Sequence, residues 1–379
     1  IPFDYEKYVS KGNSKISTDL KWSNDDANLI RIERFFEKLL FLIRTKVLLN
    51  NGDLKSTKLL WFYPSSMSAK RLDDMDKLWQ KVFKKYISSE SVPSKISESI
   101  APYYFYKNKR GVTASNKPVV AIDIGGGTSD IVIYQGKNPT HLTSIRFAAN
   151  AVFGDAYGNS PETNGFVVKY SNVIKELLQI NEEHNLLAVF NQINEKQKSE
   201  DIITFLFSLE NNKSFQERRI PFSFNEKLGK DDDLKIIFIT FYSSIIYHLA
   251  KLMHTNNLSI PRNVIFSGTG SKILSITDGS SDNNKLEKLT QIIFSKIYSQ
   301  SELSKIELEQ DDNPKEITCK GGLLMDTDLI DIKDIETVLL GDTDNTIVPE
   351  KSIKYTDLEG EKNINAVVSE VTSFIDFLF

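Results

Sequence analysis

The chain has 379 residues, 40% hydrophobic and 26% charged, the balance of a soluble globular protein long enough for two or three domains. A formal net charge of -4 gives no long-range attraction for nucleic-acid phosphates or anionic lipid, so neither nucleic acid nor membrane is an expected partner. One cysteine, Cys319, excludes an internal disulfide, in keeping with a cytoplasmic home.

The first residue is Ile1 rather than Met and no signal-peptide pattern opens the chain, so a processed or truncated start is expected. Residues 29–49 are apolar-rich, but Arg31, Glu33, Arg34, Glu37, Lys38, Arg44 and Lys46 exclude a membrane span. Leu29, Ile30, Ile32, Phe35, Phe36, Leu39, Leu40 and Ile43 recur there at helical spacing, after the capping residues Ser23, Asn24 and Asp25, and predict a buried helix. Residues 58–64 read as a short strand stopped by Pro64, and 70–86 as a second helix. A polar connector over 108–117 leads into the plainest strand, 119–124. That strand runs into Gly125, Gly126 and Gly127 and returns through Ile131, Val132, Ile133 and Tyr134 as a hairpin.

Residues 150–233 turn polar and rich in Asn, Glu and Lys, which predicts a smaller, more exposed lobe with several helices. A long helix over 234–257 and a strand over 263–267 follow. The strand meets Gly268-Thr269-Gly270, then a helix and a turn at Gly321-Gly322. Beyond 326, Ile364, Val367, Val368, Val371, Phe374, Ile375 and Leu378 define one apolar helical face.

A hairpin turn alone asks for one or two glycines with positive φ. Three of them, with Asp123 before and Thr128 and Asp130 after, suit a backbone that approaches phosphate closely. Asp123 is then the candidate to hold hydrated Mg²⁺, an ion that keeps most of its waters, and Thr128 offers a hydroxyl to a phosphate oxygen. The histidines, His141, His184, His248 and His254, lack paired ligand spacing, which argues against a zinc site. Trp61, Tyr63, Tyr103, Tyr104 and Tyr106 are expected to be packing residues, since no basic stripe interleaves them. The run Asp231-Asp232-Asp233 reads as a solvated helix N-terminus.

Residues 123–130, Asp-Ile-Gly-Gly-Gly-Thr-Ser-Asp, resemble the second phosphate motif of the actin, seventy-kilodalton heat-shock and sugar-kinase superfamily. Two further stretches match in family order. Ser97-Glu98-Ser99-Ile100-Ala101 resembles the Glu-Pro-Thr-Ala-Ala helix start of the chaperones and bacterial actin homologues, whose glutamate orients the attacking water; the resemblance gives that role to Glu98. Residues 263–272 resemble the adenosine motif, with Thr269 in the place of a second glycine and Lys272 where the chaperones set an arginine against the adenine. Cys319-Lys320-Gly321-Gly322 is similar to the second connecting motif, where helices of the two halves pack closely. The superfamily's first phosphate motif, an Asp-x-Gly-Thr-type hairpin, has no counterpart before Glu98. Reading 123–127 as the first motif of a sugar kinase is opposed by the upstream Glu98, by the helix-strand-helix before it and by the position of the adenosine motif.

The resemblance therefore implies an α/β fold of the actin-like ATPase, ribonuclease H-like type. Residues 1–117 would be part of domain I, 118–325 domain II with an inserted lobe at about 150–233, and 326–379 a C-terminal extension. It implies ATP or ADP with Mg²⁺ as cofactors. Glu98 and Asp123 would be catalytic, Asp123 the metal residue, and Gly125, Gly126, Gly127, Thr128, Asp130, Gly268, Thr269, Gly270 and Lys272 the nucleotide-binding set. Phosphoanhydride hydrolysis is implied if the complete protein supplies the first phosphate motif. The expected output is a conformational switch acting on a protein partner, or self-association. A filament-forming actin homologue, a small-molecule kinase and a nucleotide-binding pseudo-enzyme are the alternatives.

Overall fold

The computed structural model describes residues 26–64, 67, 69–136, 138–145, 147–153, 164–195, 202, 205–206, 208–209, 212–220, 222, 224–276, 284–311, 313–325, 336–337 and 361–378. Helices α1 (Asp26–Leu49) and α2 (Ala69–Tyr86) lie against a parallel strand pair, β1 (Leu60–Tyr63) and β2 (Ser94–Ser97). Strand alternation sorts the side chains. Trp61 joins Ile32, Phe36, Leu40, Trp79 and Phe83 in one apolar cluster, while Leu60 and Phe62 face α3 (Ala101–Arg110). The Trp79 ring stacks on Phe36 at 4.0 Å and on Trp61 at 6.0 Å. Only one stripe of α1 meets this layer: Ile32, Phe36 and Leu40 are buried, as their spacing implies, whereas Ile30 and Phe35 of the same set are 62% and 59% exposed.

The main sheet is a meander of β3 (Ala114–Ile124), β4 (Ser129–Gly136) and β5 (Asn138–Ile145), paired antiparallel. On the free edge of β3, β6 (Asn263–Ser267) and then β7 (Glu307–Glu309) add in parallel, and β8 (Glu336–Thr337) adds in parallel to β5. The order β7-β6-β3-β4-β5-β8 contains the ribonuclease H-like arrangement that the resemblance implies. β3 starts before the apolar run because Ala114 already pairs with Gly136, across a register shift that absorbs Pro118, a residue with no ladder donor. The connector expected over 108–117 is thus the end of α3, closed by Gly111 at φ 69, and the start of β3.

Both sheet faces are covered, which is why 119–124 reads as an unbroken apolar run. Val119, Ala121, Val132, Tyr134 and Ile265 pack with residues of α3 and of α11 (Pro314–Leu323). The opposite residues, including Val120, Ile122, Ile131, Ile133 and Phe266, pack with α9 (Asp232–Thr255) and α10 (Asn284–Ile297). Between β5 and α9 come α4 (Ala149–Val152), α5 (Gly165–Ile180), α6 (His184–Glu195), α7 (Lys213–Glu217) and α8 (Phe224–Gly229). Their Ile174, Leu178, Phe190 and Leu228 belong to the same apolar cluster as Phe238 and Tyr242 of α9. Each such side chain removed from water contributes roughly 1.5–3 kcal/mol.

α9 is long and apolar enough to cross a bilayer, yet 61% of its most apolar window is buried in the protein. Asp231 caps it, accepting from the Leu234 N–H at 3.3 Å and from the Tyr170 hydroxyl at 2.6 Å. Asp231 also pairs with Lys169, so of the three aspartates only Asp232 and Asp233, both 90% exposed at the side chain, are solvated. α12 (Glu361–Leu378) leans on α9 through Phe374 and Phe377, whose rings lie 5.3 and 4.8 Å from that of Tyr247. Val368, Val371, Ile375 and Leu378 stay exposed, so the apolar face expected of this helix meets the core only at its flank, through Phe374 with Phe377 beside it. The side chains of Ile364 and Val367, and residues 326–335 and 338–360, lie outside the described residues.

Candidate functional site

The site is built where two glycine turns meet at the carboxyl ends of β3 and β6. The first turn closes on itself, with the Gly125 N–H donating to the Thr128 carbonyl at 2.9 Å. Gly126 and Gly127 project beyond that closure and are exposed, while Thr128 is half-buried. The start of α4 grips the turn from behind: Ala149 N–H donates to Gly125 O at 3.3 Å and Asn150 N–H to Gly126 O at 2.8 Å. Nothing in the motif itself signals Asn150, which comes to the turn only through the β4–β5 meander.

The second turn touches the first through backbone. Gly268 has φ +81, and a Cβ on it would stand 2.5 Å from both Asp123 Oδ1 and Ile124 O. On Gly270 a Cβ would stand 2.3 Å from Gly125 O. Only hydrogen fits at either place, so these two glycines follow from packing as well as from the φ at Gly268. Thr269 and Lys272, on the 3₁₀ helix Thr269–Ile276, are exposed at the outer rim of the same turn.

Asp123 is half-buried beside this junction, and in register it neighbours Ser267 on one side and Asp130 on the other. The Ser267 hydroxyl donates to Asp123 Oδ2 at 2.9 Å. Asp130 is buried, and its Oδ1 accepts from the Ser144 hydroxyl of β5. A polar row, Ser267-Asp123-Asp130-Ser144, therefore crosses the sheet at the end of its apolar face. The motif reading identified both aspartates and neither serine, because strand register is a long-range property.

Glu98 follows β2 directly. Its N–H donates to the Tyr63 carbonyl at 2.9 Å, and the side chain is half-buried in the turn that leads to α3. That turn is fastened to the hairpin by Tyr134 of β4, whose hydroxyl donates to Ile100 O at 2.6 Å. The Tyr134 ring stacks on Tyr103 at 4.1 Å, and burial pushes its phenol pKa well above the ordinary value. α11 crosses the start of α3 at Gly321, the close approach that the connecting motif implies.

The residues fit a hydrated Mg²⁺ and a polyphosphate. Asp123 and Thr128 supply hard oxygen donors, the N–H groups of Gly126 and Gly127 take no part in closing their turn, and a Cβ on Gly127 would meet nothing within 4 Å. The open side of the turn has room for an anion.

No protein-family model and no curated protein matches the chain. Among solved structures it is similar to the ethanolamine utilization protein EutJ from Carboxydothermus hydrogenoformans, at 10% identity and TM-score 0.36, over 82% of this chain and 78% of that one. It is similar to MreB5 of Spiroplasma citri bound to ADP, at 12% identity and TM-score 0.36, over 85% and 88% of the two chains. A third, the Ppx/GppA phosphatase of Aquifex aeolicus, has 14% identity and TM-score 0.27, over 43% of this chain and 51% of that one. Values this low bear on no question of activity. The chain's own strand order and the placing of its two glycine turns define the class: an α/β protein with the actin-like, ribonuclease H-like fold.

Proposed function

We propose that this chain binds ATP or ADP with Mg²⁺ at the junction of the two turns and uses the nucleotide as a conformational switch on a protein partner. The observation that carries the reading is the close approach of Gly268 and Gly270 to the Asp123 carboxylate and the carbonyls of Ile124 and Gly125, where no Cβ fits. It brings the Gly268 turn against the Gly125–Gly127 turn beside a half-exposed carboxylate, which supports reading the first as nucleoside-side and the second as phosphate-side.

In this reading Asp123 orients the hydration shell of the ion, the Gly126 and Gly127 amides and the Thr128 hydroxyl donate to phosphate oxygens, and Asp130 braces the hairpin from below. Thr269 and Lys272 border the nucleoside. Bound Mg²⁺ supplies charge that offsets the negative charge on the phosphates. Glu98 accepts a hydrogen bond from the attacking water and aligns it with the terminal phosphorus, a positioning role. The α3–α11 crossing lies between the β1–β2 layer and the main sheet, which suits transmission of a cleft movement to a partner surface.

Calorimetry with ATP and Mg²⁺ tests the binding. A ligand at 100 times its Kd stabilises by about 2.7 kcal/mol, so melting temperature and heat of binding report together. Asp123→Ala weakens Mg²⁺-nucleotide binding. In the complete protein, if it supplies the first phosphate motif, Glu98→Ala leaves affinity nearly intact and lowers hydrolysis by about 10²- to 10⁴-fold. A folded wild-type sample that shows neither heat nor stabilisation with millimolar nucleotide, on the order of the highest Kd worth considering, refutes the reading.

A further inference from the structure

Ser267 ends β6, and the parallel register sets it directly beside Asp123 of β3. It is fully buried, and its Oγ donates to Asp123 Oδ2 at 2.9 Å. The next residue, Gly268, presses its backbone against the other oxygen, since a Cβ there would stand 2.5 Å from Oδ1. Ser267 thus bonds one oxygen of the carboxylate, and the next residue, Gly268, has no room for a side chain beside the other. A buried serine needs no such partner to be satisfied: Ser271, four residues on, turns its hydroxyl back to Gly268 O at 2.8 Å. Ser267 reaches across strands to a half-exposed ionisable group.

We propose that Ser267 is a positioning residue that sets the rotamer of Asp123 for Mg²⁺ and so couples ion affinity to occupancy of the nucleoside-side turn. This rests on the reading of Asp123 as the residue that holds the hydrated ion. A hydrogen bond to a carboxylate is charge-assisted and directional, so it favours one χ2 setting of Asp123. The donor is carried by the strand that forms the second turn. A ligand that settles that turn therefore settles the carboxylate, and linkage makes the effect mutual: Mg²⁺ raises nucleotide affinity as much as nucleotide raises Mg²⁺ affinity.

The test is calorimetric titration of the whole chain with ATP, with Mg²⁺ and in EDTA, for the wild type, Ser267→Ala and Ser267→Thr. Ser267→Ala is expected to reduce the Mg²⁺-dependent gain in ATP affinity about tenfold while affinity in EDTA stays within about twofold of wild type. Ser267→Ala is expected to lower the unliganded melting temperature only slightly, because Asp123 is half-exposed and water can take the donor's place, and Ser267→Thr, which keeps the hydroxyl, to restore the gain. A Ser267→Ala variant with the full Mg²⁺-dependent gain overturns the proposal. So does an equal loss with and without Mg²⁺, which marks a packing role, and the Ala comparison alone decides if the Thr variant melts early. A wild type that binds ATP equally with and without Mg²⁺ refutes the role of Asp123 itself, and with it the proposal.

Discussion

Gly321 of α11 and Ala101 of α3 meet backbone to backbone: a Cβ on Gly321 would stand 2.0 Å from the Ala101 carbonyl oxygen. Neither helix axis can yield without disturbing the cluster that Ile100, Tyr103 and Ile317 share. Gly321→Ala is therefore expected to cost at least about 1–3 kcal/mol, measured as a fall in denaturation midpoint. At the neighbouring Gly322 a Cβ meets the Phe62 ring end at 2.4 Å, a side chain able to swing aside, so Gly322→Ala should cost less. Equal losses at both positions would contradict this account of the crossing.

The two turns should respond differently to a methyl group. Gly270→Ala drives a Cβ into Gly125 O and is expected to lower both unliganded stability and nucleotide affinity. Gly127→Ala meets open space, so stability is expected to hold while affinity falls, because the methyl occupies the side proposed for phosphate. Thermal melts and ATP titrations of the two variants separate these outcomes; intact ATP affinity in Gly127→Ala would place the phosphates elsewhere.

α12 is held by aromatic contact with Tyr247, supplemented by Lys296 over the Phe377 ring at 5.2 Å. Phe377→Ala should loosen the helix by about 1–2 kcal/mol, seen as faster amide exchange across residues 361–378. Val371 is 52% exposed, so Val371→Asp should leave exchange and melting unchanged in the monomer. The opposite ranking would mean that the helix docks by its other side.

His248 on α9 keeps Nε2 buried with no hydrogen-bond partner among the described residues, and burial, aided by Lys251, lowers its pKa to about 4. In the unfolded chain its pKa is about 6.5, so as pH falls below that value the unfolded state takes up a proton that the folded state refuses. The stability is full above the unfolded pKa and declines toward the folded one, by up to about 3 kcal/mol across the window. His248→Leu removes this slope. Urea denaturation at neutral and mildly acidic pH should show the variant gaining on the wild type by about 2 kcal/mol at pH 5, with the carboxylates common to both cancelling.

The two turns of the candidate site were legible because their signals are local. Gly125, Gly126 and Gly127 after a buried strand, and Gly268 after another, announce turns whose neighbours are set within a few residues. Ser267, Ser144 and Asn150 were not legible, since each reaches the site through register or chain reversal rather than through spacing. The same limit explains the start of β3, where pairing of Ala114 with Gly136 extends a strand beyond its apolar stretch. It also explains α12, where heptad-like spacing does not tell which flank meets Tyr247. Asp231 was misread because a capping aspartate and a solvated one look alike until Tyr170 is folded over it.

The hydrogen bonds from α4 to the carbonyls of Gly125 and Gly126 have an electrostatic consequence. A peptide plane carries its C=O and the following N–H on opposite edges, and between glycines that plane flips at little steric cost. Fixing both carbonyls inward forbids the flip and turns the Gly126 and Gly127 N–H edges outward. The hairpin tip thus presents positive partial charge as a property of the fold, set by a short helix that lies outside the glycine run and whose Asn150 side chain also borders Gly126.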